Sequence, residues 1–222
     1  MGINVAIDGP AGAGKSTIAK RVAGELGFVY VDTGAMYRTV ALYMVRKGYG
    51  EEDREKIERD VSEADVTIQY LDGVQKIFLN GENADGEIRK EEIGRMASIC
   101  SAFPAVREHL LSLQRKLAAS GNVVMDGRDI GTVILPNAEV KVFLTADPGV
   151  RARRRYDELI GKGQKADLEE IEREVRARDE RDMNRETAPL KQADDAVLID
   201  SSDMTIDEVA EEIVKLVRPH MG

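Results

Sequence analysis

A glycine-rich segment near the amino terminus has the clearest chemical meaning in this sequence. It reads Gly9-Pro10-Ala11-Gly12-Ala13-Gly14-Lys15-Ser16 and matches the pattern of a phosphate-binding loop. Glycines let successive backbone N–H groups converge on a phosphate, and the Lys15 ammonium and Ser16 hydroxyl suit the β- and γ-phosphates and Mg²⁺. We therefore predict that a nucleoside triphosphate binds to Gly9, Pro10, Ala11, Gly12, Ala13, Gly14, Lys15, Ser16 and Thr17.

A carboxylate ends an apolar run further along the chain. Val124 and Met125 read as part of a buried strand, and Asp126 follows them directly. An Asp at the end of a strand can help to hold Mg²⁺, either directly or through water. An Asp before Gly127 is also typical of a turn. Asp126 is therefore a second candidate for the metal site beside Ser16, and the turn interpretation stays open.

Arginine is concentrated in one part of the chain. Nine of the 20 arginines lie between Arg151 and Arg185. The ordinary interpretation is a solvated helix that carries ion pairs. This interpretation fits Arg173 and Arg176, because each follows a glutamate by four residues, in the favoured orientation.

Two other groups of arginines in this region suit a ligand. Arg178, Asp182 and Arg185 recur at i, i+4 and i+7, so they share one face of a helix. A second cluster comprises Arg151, Arg154 and Arg155. It precedes a glycine-flanked loop at 161–165, which we predict to be mobile. Phosphoryl transfer depends on neutralising charge in the transition state, and one arginine can contribute roughly 10³–10⁵ in rate. These two clusters are therefore candidate phosphate-binding surfaces.

The elements that must position these residues alternate regularly. Five apolar runs are predicted to be core strands, at 3–7, 28–31, 123–125, 140–144 and 196–199. Helical spacing occurs between and after them, at 15–26, 34–47, 88–100, 104–119, 151–160 and 206–217. A hairpin with a turn at Asp72-Gly73 interrupts this order. The alternation indicates an α/β protein with a parallel sheet.

Length and charge limit the architecture and the partners. With 222 residues, one core with small insertions is expected. We predict a core at 1–61, 99–150 and 186–222, a small lobe at about 62–98, and a lid with flanking arginine-rich helices at about 151–185. The net charge of −9 disfavours nucleic acid and anionic membranes as partners.

Further sequence features bear on location. The longest stretch without a charged residue is 96–106, whereas a membrane helix needs ~18 or more apolar residues. Asp8 precedes the first cation, Lys15, unlike the start of a secretory signal. The single Cys100 is expected to be a small buried hydrophobe. We expect a cytoplasmic protein, and a monomer, since no long apolar stripe requires a dimer.

Four further motifs follow the loop, at 32–38, at Ser98 with 103–107, at 126–133 and at 178–185. Together with the loop they closely resemble the bacterial cytidylate kinases, over nearly the whole chain. The resemblance implies a P-loop NTPase-type five-stranded parallel sheet flanked by helices, with a nucleoside-monophosphate-binding insert and a short lid. It also implies Mg²⁺-dependent phosphorylation of CMP and dCMP by ATP.

The resemblance assigns roles to individual residues. The implied CMP-binding set is Thr33, Arg38, Ser98, Arg107, Arg128, Asp129, Arg178, Asp182 and Arg185. In this set the α-phosphate would be bound by Arg38, Arg128 and Arg185, the ribose by Arg178 and Asp182, and the base by Ser98, Arg107 and Asp129. The predicted catalytic residues are Arg128 and Arg185 from these motifs, Lys15 from the phosphate-binding loop and Arg154 from the cluster that precedes the glycine-flanked loop. A carboxylate or hydroxyl facing N4 and a guanidinium facing O2 and N3 would select cytosine by hydrogen-bond polarity.

Two alternatives stay open from the residues alone. One is another small P-loop kinase, for an adenine or uracil monophosphate or for a metabolite such as shikimate. The other is a nucleotide-gated regulatory module without turnover. The arginine clusters argue against the second, because a switch needs only one phosphate site. A GTPase is disfavoured, since the sequence contains no Asn-Lys-x-Asp pattern.

Overall fold

The computed structural model describes residues 2–71 and 73–222. Its eight strands, in chain order, are β1 (Asn4–Asp8), β2 (Val29–Asp32), β3 (Val66–Leu71), β4 (Val74–Leu79), β5 (Glu82–Asn83), β6 (Val123–Gly127), β7 (Val140–Thr145) and β8 (Val197–Asp200). Five of them form a sheet in the order β2-β6-β1-β7-β8, and all its neighbouring pairs are parallel. The predicted five-stranded parallel sheet is therefore confirmed.

The other three strands form the antiparallel sheet β3-β4-β5. This is the predicted hairpin, extended by one short strand. Gly73 has a φ of +75°, which suits the turn that was predicted from its residue type. Asp72, the other residue of that predicted turn, lies outside the described residues.

Within the described residues the α-helices are α1 (Lys15–Leu26), α2 (Thr33–Arg46), α3 (Arg54–Asp60), α4 (Glu91–Cys100), α5 (Pro104–Ala118), α6 (Pro148–Gly161), α7 (Leu168–Asn184) and α8 (Ile206–Val217). Sequence periodicity did not indicate α3, because this helix has seven residues and buries only Ile57 and Asp60. The boundary predicted at residue 98 falls inside α4. The segment between α6 and α7 contains residues 162–165 of the predicted loop, while Gly161 is the last residue of α6.

Apolar residues pack on both faces of the parallel sheet. Alternate side chains of a strand point to opposite faces, so Ala6 belongs to one core cluster and its neighbours Val5 and Ile7 to the other. Helices α2, α4 and α5 cover the first face, and α1 and α8 cover the second. Cys100 lies in the first cluster with no exposed surface, as predicted, and burial raises the pKa of its thiol to about 12.

The carboxyl ends of the central strands meet at one edge of the sheet. Neighbouring strands β1 and β7 have their onward connections in opposite directions, to β2 on one side and to β8 on the other, and α/β sheets bind ligands at such a point. The strand register pairs Asp32 with Asp126 and Asp8 with Gly127. Three carboxylates are thus placed beside the phosphate-binding loop by the sheet itself.

Across residues 2–71 and 73–222, none of the helices combines the length and the apolar character that crossing a membrane requires.

Candidate active site

The glycine-rich loop connects β1 to α1, as the sequence predicted. Gly9, Gly12 and Gly14 have φ values of +147°, +79° and +87°, a range that favours glycine. A Cβ at Gly9 would lie 1.9 Å from the carbonyl oxygen of Leu144, so a side chain is excluded there. The loop therefore has the tight curvature that turns backbone N–H groups toward a phosphate.

Lys15 is the first residue of α1 and is buried. Its Nζ donates to the carbonyl oxygen of Pro10 at 2.7 Å, which curls the side chain back over the loop. Burial, followed by the nearby Arg128 guanidinium, lowers the pKa of Lys15 well below its usual range. A phosphate anion beside this ammonium would favour the charged form, so the site is suited to a negatively charged ligand.

Asp126 lies at the end of β6 and faces the loop. Its two carboxylate oxygens accept hydrogen bonds from the Ser16 hydroxyl and from the Tyr30 hydroxyl, each at 2.8 Å. Burial and the neighbouring Asp32 raise the pKa of Asp126 to about 6. A buried carboxylate beside a hydroxyl is the oxygen donor set that Mg²⁺ prefers. These residues therefore fit the metal that the sequence suggested.

One cavity of about 370 Å³ extends from this loop toward α4 and α5. Most of the predicted site residues line it, namely Ala11, Gly12, Gly14, Lys15, Ser16, Thr17, Thr33, Arg38, Ser98, Arg107, Asp126, Arg128, Asp129, Arg178, Asp182 and Arg185. The structure thus brings together residues from both ends of the chain. The phosphate-binding loop, which we call the donor loop, therefore shares one cavity with the residues that the resemblance implies for CMP binding.

The cavity is strongly positive although the protein is acidic. Seven cationic side chains line it (Lys15, Arg38, Arg89, Arg107, Arg128, Arg178 and Arg185), against four carboxylates (Asp32, Asp126, Asp129 and Asp182). In the described part of the chain, Nε of Arg178 and Nη2 of Arg185 are buried without a hydrogen-bond acceptor. Burial, followed by repulsion from Arg128, lowers the pKa of Arg178 to about 10. An anionic ligand would relieve both costs.

In the middle of the cavity, the residue that follows β6 contacts a residue of α7. Nε of Arg128 donates to the carboxylate of Asp182 at 2.9 Å. Burial acts to raise the pKa of Asp182, but Arg128 and then Arg178 outweigh it and lower that pKa. Asp182 is therefore an ionised acceptor next to the arginines, which suits a sugar hydroxyl.

A buried ion pair forms the far end of the cavity. The Arg107 guanidinium pairs with the Asp129 carboxylate, and Arg185 lies 3.6 Å from the same carboxylate. The Tyr37 ring packs against Arg107, with its centroid 5.5 Å from the guanidinium carbon. Ser98 lines the same region from α4. Hydroxyl, guanidinium and carboxylate groups thus meet where the sequence placed a base.

The structure does not bring every predicted residue into the cavity. Gly9, Pro10 and Ala13 shape the loop from behind it. Arg154, a predicted catalytic residue, donates instead to the Ser201 carbonyl oxygen at 2.6 Å. Arg154 lies on the face of α6 that meets Ser201, the residue directly after β8, and it does not line the cavity.

The other two members of the Arg154 cluster also have protein partners. Arg151 is buried and donates to the carbonyl oxygen of Ala11 in the loop and to both oxygens of Asp179. Arg155 pairs with Glu158 at 2.9 Å. Of this predicted phosphate-binding cluster, Arg151 therefore tethers α6 to the loop and to α7 in this structure.

Two surface ion pairs were predicted correctly. Arg176 lies 2.6 Å from Glu172, and Arg173 lies 4.0 Å from Glu169. Both arginines are largely exposed.

Sequence reasoning did not assign roles to several residues that line the cavity. Asp32 caps α2 by accepting from the Ala35 N–H, and it also pairs with Arg89 at 3.0 Å. Arg89 falls within the helix predicted at 88–100, but the structure starts α4 only at Glu91, so Arg89 lies in the turn before it. Tyr37 and Ser101 complete the base end. Of these residues, only Asp32 could have been found from the sequence, because an Asp directly before a predicted helix is typical of an N-cap.

The chain was compared with known proteins. It matches the family model of cytidylate kinase over residues 5–219. It is 48% identical over 214 residues to the cytidylate kinase of Caldicellulosiruptor bescii, covering 96% of this chain and 95% of the relative. It is 46% identical over 222 residues to the cytidylate kinase of Thermotoga maritima, and all of both chains is covered. A shikimate kinase from Acinetobacter baumannii, solved in complex with shikimate, is similar with a TM-score of 0.50, 16% identity, and 99% and 95% coverage.

The parallel sheet, the loop after its first strand and the shared cavity define a P-loop kinase, and the likeness to shikimate kinase supports that fold alone. The sequence matches are more specific than the fold. The chain belongs to the cytidylate kinase family. It is an enzyme of the nucleoside monophosphate kinase class, so the prediction of an enzyme rather than a regulatory module is confirmed.

The buried Arg107–Asp129 pair generates a stability prediction. Arg107→Ala is expected to lower the free energy of unfolding by about 3 kcal/mol, because it leaves a buried carboxylate with only a more distant cation. Urea unfolding followed by circular dichroism measures this. The control is Arg173→Ala, which removes an exposed, loose ion pair and should change stability by less than about 0.5 kcal/mol. Equal losses of the free energy of unfolding in the two variants would contradict a larger stabilising role for the buried pair.

Proposed function

We propose that this protein transfers the γ-phosphoryl group of ATP to CMP and dCMP, giving CDP and dCDP in pyrimidine nucleotide metabolism. The observation that carries the proposal is the single cavity that begins at the phosphate-binding loop and ends at the Arg107–Asp129 pair. Membership in the cytidylate kinase family supports CMP as the acceptor. Two phosphate-bearing substrates in one positive space can react directly with each other.

The donor binds at the loop in this proposal. The backbone N–H groups of the loop and the start of α1 surround the β-phosphate, and Lys15 neutralises the β- and γ-phosphate oxygens. Ser16 and Asp126 would hold Mg²⁺, Ser16 through its hydroxyl. When bound, this ion supplies charge neutralisation at the same phosphate oxygens.

The acceptor occupies the rest of the cavity. Arg38, Arg128 and Arg185 bind its α-phosphate, a task for which planar guanidinium groups with several donors are suited. Arg178 and Asp182 bind the ribose, with Asp182 accepting from a sugar hydroxyl. Thr33 lies beside them and bonds to the Asp126 carbonyl oxygen at 2.7 Å, which ties the acceptor side to the metal side.

The base lies at the far end. The Asp129 carboxylate accepts from the cytosine amino group, while Arg107 donates to the ring carbonyl and N3, and Ser98 adds a hydroxyl. Uracil has a carbonyl oxygen where cytosine has an amino group, so it would place an acceptor against the Asp129 carboxylate. This mismatch gives the selectivity for cytosine.

The chemical step needs no protein base. A phosphate monoester has its second pKa near ~6, so at neutral pH the attacking oxygen of CMP is already ionised. This oxygen forms a bond to the γ-phosphorus while the bond from that phosphorus to the β,γ-bridging oxygen breaks, and ADP leaves. Lys15, Arg128 and Arg185 stabilise the charge on the transferring group. Arg154 would join them only by leaving the Ser201 carbonyl.

Two parts of the chain would move when the substrates bind. The small sheet with the segment up to about residue 98 is the acceptor-binding lobe, and 151–185 is the lid with its flanking helices. Gln75 accepts from the Asp32 backbone N–H at 2.9 Å, so the lobe contacts the end of β2 in this structure. Closing both parts would exclude water, which would otherwise compete as phosphoryl acceptor.

A panel of acceptors tests the proposed function. Steady-state release of ADP is measured with CMP, dCMP, UMP, AMP and shikimate at fixed ATP and Mg²⁺. CMP and dCMP are expected to have the highest kcat/KM, because only cytosine matches the donors and acceptors at Arg107 and Asp129. A higher kcat/KM for any other acceptor would overturn the assignment.

Changing Asp129 should alter base choice. Asp129→Asn replaces one acceptor oxygen with an amino group, which no longer accepts from cytosine and can donate to uracil. The ratio of kcat/KM for CMP to that for UMP is expected to fall by about tenfold or more. The control is Asp157→Asn, an exposed partner of Arg153, which should leave the ratio unchanged. An unchanged ratio in Asp129→Asn would remove this residue from base recognition.

Arg185→Lys keeps a positive charge but removes the planar set of donors. We expect kcat/KM for CMP to fall by about tenfold to a hundredfold, while the Kd for ATP changes by less than about twofold. Kinetics and calorimetric titration with ATP measure the two quantities. Arg176→Lys is the matched control, on the exposed face of α7, which ends at Asn184, so that Arg185 follows the helix rather than sharing its predicted face. A loss confined to ATP affinity would place Arg185 at the donor instead.

A further inference from the structure

A π-helical turn, Ile130–Ile134, follows directly after the residue that is proposed to read the base. Asp129 occupies the N-cap position of this turn. Asp is among the residue types that most often cap a helical turn, by accepting from the first free N–H groups. In the part of the chain that the structure describes, however, the Asp129 side chain makes no capping hydrogen bond. The first N–H groups of the turn must therefore be satisfied elsewhere.

Asp8 satisfies them from another strand. Its two carboxylate oxygens accept from the backbone N–H groups of Ile130 and Gly131, each at 2.7 Å. Asp8 is the last residue of β1, so the strand that leads into the phosphate-binding loop also fixes the start of the turn. The contact spans 122 and 123 residues of sequence.

The burial of Asp8 shows that this cap is built into the core. Asp8 is 4% exposed, and burial raises its pKa to about 6 against the opposing effect of the two N–H groups. Both oxygens accept well only when the carboxyl group is ionised, and the two N–H groups favour that form. A Cβ at Gly131 would lie 3.4 Å from an Asp8 oxygen and 3.2 Å from the Lys141 side chain, so the turn sits tightly on this carboxylate.

Asp8 thereby leaves the side chain of Asp129 available for other partners. A short polar side chain at an N-cap competes between local backbone N–H groups and distant partners. Because Asp8 occupies the N–H groups of Ile130 and Gly131, the Asp129 carboxylate is free to pair with Arg107 and to lie near Arg185 at the cavity. Asp8 is itself absent from the residues that line the cavity in the described chain.

We propose that Asp8 is a positioning residue for base selectivity: it caps the turn in place of Asp129 and thereby holds the Asp129 carboxylate at the base site. This inference rests on the proposed function, in which Asp129 reads the base. Without the Asp8 carboxylate, Asp129 turns back to cap its own turn and faces the base less well.

Asp8→Asn tests this inference, because an amide of the same shape has only one acceptor oxygen for two N–H groups. At saturating ATP, the ratio of kcat/KM for CMP to that for UMP is expected to fall by about tenfold. The KM for ATP should change by less than about twofold, although Asp8 adjoins the donor loop. The double variant Asp8→Asn/Asp129→Asn should show no further fall in the ratio relative to Asp129→Asn, since both changes act through one side chain.

A remote cap provides the matched control. Thr205→Ala removes the cap of α8, so it should lower stability by about 1 kcal/mol without changing base selectivity. An unchanged ratio in Asp8→Asn, or a multiplied loss in the double variant, would overturn the inference. A wild-type enzyme without preference for CMP would instead overturn the proposed function. If melting shows Asp8→Asn to be unfolded, Asp8→Glu replaces it, with the same fall expected because the extra methylene displaces the carboxylate.

Discussion

Seven cationic side chains share one cavity in a protein whose net charge is −9, and holding them together costs free energy. Burial lowers the pKa of Lys15, Arg38, Arg178 and Arg185, and in each case the next cause is a neighbouring guanidinium. Each shift reflects first the loss of hydration and then this repulsion, and a bound phosphate group would offset both. The free energy of folding must therefore come from elsewhere, and the same two costs favour an anionic ligand.

The two apolar clusters on the faces of the sheet supply that free energy and fix the positions of the charges. Parallel strands end at one edge, so carboxylates at strand ends and in the segments that follow them stand beside the arginines. Asp32 pairs with Arg89, and Asp129 pairs with Arg107. These partners reduce the repulsion without cancelling it. The remaining positive charge is directed into the space between donor loop and base end.

The sheet also links functions that are separate in sequence. β1 ends in Asp8, whose backbone continues into the donor loop while its side chain holds the turn after Asp129. β6 ends in Asp126 and Gly127, and the next residue is Arg128. In the proposed reaction, this one edge would set the distance between the donor phosphates, the acceptor phosphate and the base, as direct transfer between two bound substrates requires.

The sequence by itself determined the features that depend on local spacing. The phosphate-binding loop, the five strands and the Arg176–Glu172 pair were predictable, because each arises from residues within a few positions of one another. The family motifs extended this to most of the cavity lining. Only the tertiary structure decided that Arg154 bonds to Ser201, that Arg89 joins the cavity, and that Asp8 caps a distant turn. Those contacts join residues about 50 to 120 positions apart, or they depend on the direction in which one face of a helix points. The packing of strands and helices determines the distant contacts and the orientation of each helix.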